Sequence, residues 1–157
     1  MSVEKVRNYL SQYHVEDRIQ EFTVSSATVE LAAQALNVAP ARIAKTLSFK
    51  KDDGCILVVA AGDAKVDNRK FKDTFGLKAK MLPVDEVAAM VGHAVGGVCP
   101  FAVPENVPVY LDESMKRFAS VFPAAGSSSS AVEMTCDELF AISHAQSWVD
   151  VCKLPEK

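Results

Sequence analysis

The sequence predicts an α/β chain of the α+β type, with a mixed, mostly antiparallel sheet wrapped by helices. Three observations lead there. Strand-like runs and helical periodicities are interspersed along the chain, several strands join through short turns, and no clean series of strand–helix–strand units appears. With 157 residues, 49% of them hydrophobic and 24% charged, the chain is large enough to build one core without disulfide or metal staples. No internal repeat or linker interrupts it, so residues 1–157 read as a single domain.

The elements follow in order. Val6, Leu10 and Tyr13 space out the apolar face of a first helix. Glu21–Val24 reads as a strand, after which Ser25 or Ser26 is placed to cap a helix whose inner face is Val29, Ala32, Ala33 and Leu36. Asn37 closes that helix in a left-handed conformation, and Pro40 opens a further short turn. Thr46–Lys50 and Cys55–Ala60 form strands joined at Asp52-Asp53-Gly54, a tight hairpin signal. Gly62-Asp63 turns the chain into a basic helix over Asn68–Phe75, stopped by Gly76. Ala79–Leu82 reads as a short strand, and Val84, Val87, Ala88 and Val91 as a helix ended by Gly92. Gly92, Gly96, Gly97 and Pro100 define a loop. Val107–Leu111 and Ala119–Phe122 read as strands around a helical turn at Ser114–Phe118. Beyond the polar loop Gly126–Ser130, Ala131–Met134 is a strand, Asp137 caps a helix through Ile142, and Trp148–Cys152 is the last strand.

Composition removes several classes. The longest apolar run is Cys55–Ala61, far short of the roughly 20 residues of a membrane span. Charges at Arg7, Glu16, Asp17 and Arg18 break any hydrophobic signal segment near the N-terminus. The four cysteines lie far apart with no CxxC, so they read as reduced thiols of a cytoplasmic protein. His14, His93 and His144 are widely separated, which argues against a metal site, and the glycine spacing matches no nucleotide-binding loop. No cofactor is expected. The net charge of -3 hides a strong asymmetry: residues 42–80 hold ten basic side chains against five acidic ones, while the flanks are acidic. Such sorting fits either one basic face for a polyanion or plain solvated surface.

Lys45, at the mouth of a strand, is placed to project into a cleft and bind a phosphate or carbonyl oxygen, or else to decorate a helix end. Gly96-Gly97-Val98-Cys99-Pro100 brings bare backbone close to a ligand, with N–H groups able to face an oxyanion, or simply makes a tight connection. Cys99 with His93 suggests a thiol nucleophile, but no orienting third residue accompanies them, and a buried small hydrophobe is the simpler reading. The serines 127–130 are either donors to a substrate or a turn.

Several segments together resemble one family. They are Thr28-Val29-Glu30-Leu31-Ala32-Ala33; Arg42-Ile43-Ala44-Lys45-Thr46-Leu47; Val58 to Asp63 leading into Lys65-Val66-Asp67; Gly92-His93 through Gly96-Gly97-Val98-Cys99-Pro100-Phe101; Val109-Tyr110-Leu111-Asp112; and the Gly126 serine loop into Val132-Glu133-Met134. Over roughly residues 20–152 the chain is similar to the YbaK/ProX family of aminoacyl-tRNA deacylases, relatives of the editing domain of bacterial prolyl-tRNA synthetases. The resemblance implies that the protein hydrolyses the ester of a mischarged tRNA in trans. Its partner would be the acceptor end of that tRNA, with an aminoacyl-tRNA synthetase as a second candidate partner. Lys45 and Gly96 would be the catalytic positions. Phe22, Thr46, Gly97, Val98, Cys99, Pro100, Ala124, Gly126, Ser127 and Ser128 would bind substrate, while Lys65, Arg69 and Lys70 would meet tRNA phosphates. The Cys-removing branch carries a tyrosine where Phe22 stands, a serine at Ala124 and a basic pair at Ser127 and Ser128. These departures point toward a small or hydroxylated amino acid (Ala, Ser or Thr) rather than Cys, on tRNA for proline or a related tRNA. The alternative is a non-catalytic module of the same fold that binds tRNA, a synthetase or a nucleotide.

Overall fold

A computed structural model describes residues 2–22, 28–93 and 98–155 of the chain. In order the elements are α1 (Ser2–Ser11), β1 (Ile19–Glu21), α2 (Val29–Leu36), β2 (Ile43–Lys51), β3 (Gly54–Ala61), β4 (Lys65–Val66), α3 (Asn68–Phe75) and α4 (Val84–Val91). They continue with β5 (Val109–Asp112), β6 (Ser120–Pro123), β7 (Ser130–Val132), β8 (Met134–Thr135), α5 (Cys136–Ile142), β9 (Ser147–Val149) and β10 (Cys152–Lys153). Three short 3-10 turns interleave, at Glu16–Arg18, Pro40–Arg42 and Glu113–Arg117.

The organising element is the β2–β3 hairpin. From Ile56 to Ala61 every residue of β3 is inaccessible to solvent, because an unbroken apolar run suits a strand covered on both faces. Its Asp52-Asp53 loop has two residues, since Lys51 pairs with Gly54, and Asp52 takes the positive φ of 54° that the turn demands. Around the hairpin the six-stranded sheet runs in the order β8-β6-β2-β3-β5-β9. β2 pairs antiparallel with β3 and parallel with β6. β3–β5 and β5–β9 are parallel and β6–β8 antiparallel. Two small antiparallel sheets, β1–β7 and β4–β10, complete a mixed sheet system in which antiparallel pairing predominates.

Helix signals set most boundaries. Asn37 (φ 57°) and Gly76 (φ 77°) end α2 and α3 in the left-handed region, each donating its N–H to the last turn. The caps expected at Ser25 or Ser26 fall outside the described residues; the cap of α2 is Thr28, whose hydroxyl accepts from the Leu31 N–H at 3.2 Å. Likewise Thr135, not Asp137, caps α5, in a capping box with Glu138. The first strand is Ile19–Glu21 rather than Glu21–Val24, of which residues 23 and 24 lie outside the described residues. Ala79–Leu82 is reduced to a single bridge, Phe49 to Met81. Ala131–Met134 splits at Glu133 into β7 and β8, which pair with different strands, and Trp148–Cys152 splits into β9 and β10 in the same way.

A buried Asp112 ties the end of β5 to its surroundings. Its two carboxylate oxygens accept from the N–H groups of Ser114 and Val151, both at 2.9 Å. Ser114 Oγ in turn accepts from the Ala61 N–H at 3.1 Å. This network fixes the end of β3 and hence the turn 62–64 that follows it.

Candidate functional site

The site begins with a break along the edge of β2. At one end β6 pairs with Ile43 and Ala44. At the other, the Ser48 carbonyl accepts from the Leu82 N–H at 3.0 Å and the Lys50 N–H donates to the Lys80 carbonyl at 2.8 Å. Backbone groups of alternate strand residues point to the same edge, so those of Thr46 face the interval between the two covers, where no described strand pairs. The Thr46 hydroxyl is also buried with no hydrogen-bond partner among the described residues.

A cavity of about 280 Å³ opens at this interval. Ala44, Thr46 and Ser48 of β2 form its floor, Val29 and Ala32 of α2 one wall, and Ser127 and Ser130 another. Met81 and Val84, 53% and 72% exposed, rim the mouth with apolar surface. The volume lies near the lower end of small-ligand pockets and the lining is mainly apolar with a few hydroxyls.

Lys45 brings the one ammonium among the described lining residues. It sits inside β2, opposite Ala60, and not at a helix end. Its Nζ donates to the Gly62 carbonyl at 3.4 Å and to the Ala64 carbonyl, which leaves a third N–H for a ligand. Burial lowers the Lys45 pKa, since the charged form loses solvation; the carboxylates of Asp63 and Glu30 oppose that shift. The turn that supplies both carbonyls is braced by Arg117, whose guanidinium meets the Asp63 carboxylate at 3.0 and 2.5 Å. That fork holds the Asp63 carboxyl below the usual carboxylate range.

Of the residues singled out in the sequence, Lys45, Thr46, Val98, Ala124 and Ser127 line this cavity. Gly96 and Gly97 lie outside the described residues. Phe22 packs against the small apolar cluster of Ala32, Ala33, Ile43, Phe122 and Ala131 beside the cavity, and its N–H donates to the Ser129 carbonyl at 2.7 Å. Gly126 turns the serine loop with φ 101°. Within that loop Ser127 Oγ and Ser130 Oγ are 2.9 Å apart, and the Ser129 N–H donates to Ser127 Oγ at 3.2 Å. The hydroxyls therefore build a self-bonded turn whose Ser127 and Ser130 edge faces the cavity; Ser128 is half-buried on the same loop.

Cys99 and Pro100 point elsewhere. Cys99 is fully buried, 3.6 Å from His93 Nε2, and burial pushes its thiol up to about 12. His93 Nε2 lies 2.7 Å from the Phe101 carbonyl, and burial lowers the pKa of the ring. An uncharged histidine beside a thiol of that pKa makes no thiolate nucleophile. Pro100 lines a different cavity, with Tyr9 and His144. Lys65 and Arg69 are exposed, whereas Lys70 bonds Asp150 at 3.0 Å and the Cys152 carbonyl at 2.9 Å. Among the described residues no group of three or more His, Cys, Asp or Glu is arranged to hold a metal ion, and no helix is long and apolar enough to cross a membrane.

Sequence reasoning missed Ser48, Met81 and Val84. Ser48 was within reach, being two residues along the strand from Thr46 and so on the same face. Met81 and Val84 carry no local signal, because only the Phe49–Met81 bridge brings them to the mouth.

The family model of the aminoacyl-tRNA editing domain matches residues 23–142. YwhH, an uncharacterized protein of Bacillus subtilis, is 52% identical over 154 residues, covering 98% of each chain. A candidate Cys-tRNA(Pro)/Cys-tRNA(Cys) deacylase of Enterococcus faecalis, EbsC, is 25% identical over 141 residues, covering 87% of this chain and 86% of that one. The crystal structure of a candidate trans-editing enzyme for prolyl-tRNA synthetase superposes with a TM-score of 0.86 at 29% identity, over 99% of this chain and 98% of that one.

Proposed function

The chain belongs to the aminoacyl-tRNA editing domain family, and from that premise we propose that it is a trans-editing deacylase acting as one domain in the cytoplasm. It takes the acceptor end of a mischarged tRNA, from tRNA for proline or a related tRNA, and hydrolyses the aminoacyl ester. The observation that carries this reading is the cavity at the open edge of β2, where a half-buried ammonium and a hydroxyl without a partner among the described residues meet an apolar pocket of small volume.

The chemistry suits that equipment. Water attacks the ester carbonyl, the tetrahedral oxyanion collapses, and the ribose oxygen leaves with the tRNA. An aminoacyl ester is already activated, so orientation and a polarised carbonyl supply most of what is needed. Lys45 supplies the positive charge for the terminal phosphate or the aminoacyl carbonyl. Thr46 offers its outward backbone and its hydroxyl to the aminoacyl group. Gly96 and its neighbours Gly97 and Val98 belong, in this reading, to the carbonyl-binding loop. The floor of Ala44 and the wall of Ala32 and Ala124 leave room for a small side chain, which favours Ala, Ser or Thr; size alone filters modestly.

The test is hydrolysis of Ala-, Ser-, Thr- and Cys-tRNA by the wild-type protein. Rapid loss of one ester over the others establishes the enzyme and names its amino acid. No turnover on any of them, with tRNA still bound, establishes instead a binding module of the same fold.

A further inference from the structure

The two-stranded sheet of β4 and β10 sets Lys65 directly opposite Lys153. Opposed residues of an antiparallel pair project from one face with Cβ atoms about 4.5–5.5 Å apart, and like charges in that position are destabilising. Both lysines are exposed. Neither is in an ion pair with a described carboxylate. The nearby acids are already engaged: Asp67 accepts from the Arg69 and Lys70 N–H groups at the start of α3, and Asp150 takes the Lys70 ammonium. The pair also adjoins the cleft. Ala64, the residue before Lys65, lends its carbonyl to the Lys45 ammonium, and the Lys65 charge reaches Lys45.

We propose that Lys65 and Lys153 together clamp a backbone phosphate of the tRNA acceptor end as it leads into the Lys45 cleft. The inference rests on the editing reading above and extends it to a residue that the charge pattern hides, because Lys153 lies in the acidic C-terminal stretch. A phosphodiester lodged between two ammonium groups offsets the mutual repulsion of opposed like charges.

The experiment compares wild type with Lys65→Gln, Lys153→Gln and the double variant. Binding of uncharged tRNA is measured across a potassium chloride series, and deacylation is measured on mischarged tRNA and on an aminoacyl ester of adenosine that lacks upstream phosphates. Each lost phosphate contact lowers the salt slope by roughly 0.7–0.9. The double variant is therefore expected to bind tRNA about tenfold more weakly at 0.1 M salt, with a slope lower by about 0.7–0.9 for the one clamped phosphate. KM rises severalfold more for mischarged tRNA than for the adenosine ester, and the melting temperatures of the single variants stay within about 2 °C of wild type. Unchanged slope and KM in a protein whose wild type deacylates overturn the clamp and leave the enzyme standing. So does a lowered melting temperature with unchanged binding, or a double variant that loses only its association with prolyl-tRNA synthetase. A wild type with no turnover whose tRNA binding still needs both lysines keeps the clamp and discards the deacylase.

Discussion

Gly62 is the point where α2, the turn Pro40–Arg42 and β2 close on one backbone atom. A Cβ added there lies 2.1 Å from the Pro40 carbonyl oxygen, 2.7 Å from Val29 Cγ1 and 3.1 Å from the Ile43 carbonyl oxygen. The Val29 methyl has freedom to yield, but both oxygens belong to backbone, and restoring ordinary contact at Pro40 needs a displacement of roughly 1 Å. Overpacking of this kind costs about 1–3 kcal/mol. With a backbone atom as the obstacle, Gly62→Ala sits at the upper end, about 3 kcal/mol. In a domain of this size each kcal/mol moves the melting temperature by about 2–4 °C, so a fall of about 6–12 °C is expected in a thermal melt. Gly62 also lends its carbonyl to Lys45, and the same turn lends the Ala64 carbonyl. Deacylation at 25 °C should therefore drop further than the unfolded fraction explains. Gly54→Ala is the control, since its nearest neighbour is the Lys51 carbonyl oxygen at 3.9 Å. A Gly62→Ala protein that melts within 2 °C of wild type refutes the close approach and, with it, the rigid support given to Lys45.

Two further outcomes follow from the site. Thr46→Val exchanges a buried hydroxyl without a described partner for a methyl, so the urea midpoint should hold or rise by the equivalent of about 1 kcal/mol, while kcat/KM on mischarged tRNA falls roughly tenfold; a destabilised variant with full activity removes Thr46 from the substrate site. The Asp63 carboxyl, depressed mainly by the Arg117 hydrogen bond, stabilises the fold above the ordinary carboxylate pKa near 3.9 and loses that contribution as pH falls through its lower folded value. Arg117→Met should then cost about 1 kcal/mol at pH 7, after solvent screening, and less at pH 3. Equal losses at both pH values contradict the linkage.

Local signals were legible and long-range ones were not. Asn37, Gly76 and the Asp52-Asp53 loop announce themselves because a left-handed residue or a two-residue turn is settled within a few positions. The caps at Thr28 and Thr135 were misplaced by two or three residues because several cap-competent side chains cluster there, and only backbone geometry selects among them. Ala131–Met134 reads as one strand until its halves meet different partners, β1 and β6. Ala79–Leu82 has strand-like residues, yet only Met81 finds a bridge. The same holds at the site. Lys45 and Thr46 are adjacent and conspicuous, whereas Met81 and Val84 come from a piece of chain joined to them only by the fold. Cys99 and Pro100 sit beside the glycine loop in sequence but face the core and a second cavity. Lys153 meets Lys65 across 88 residues of chain through a two-residue strand pairing, which no composition window reveals.

The most direct measurement is kcat/KM for the preferred mischarged tRNA with Lys45→Ala and Cys99→Ala side by side, each checked for a folded melting transition. Lys45→Ala removes the cleft's ammonium and should lower kcat/KM by about 10² or more, while Cys99→Ala, which alters only a buried thiol pushed up to about 12, should retain most of it. A folded Lys45→Ala protein with wild-type turnover, or a folded Cys99→Ala protein with none, would contradict a hydrolase built on the open edge of β2.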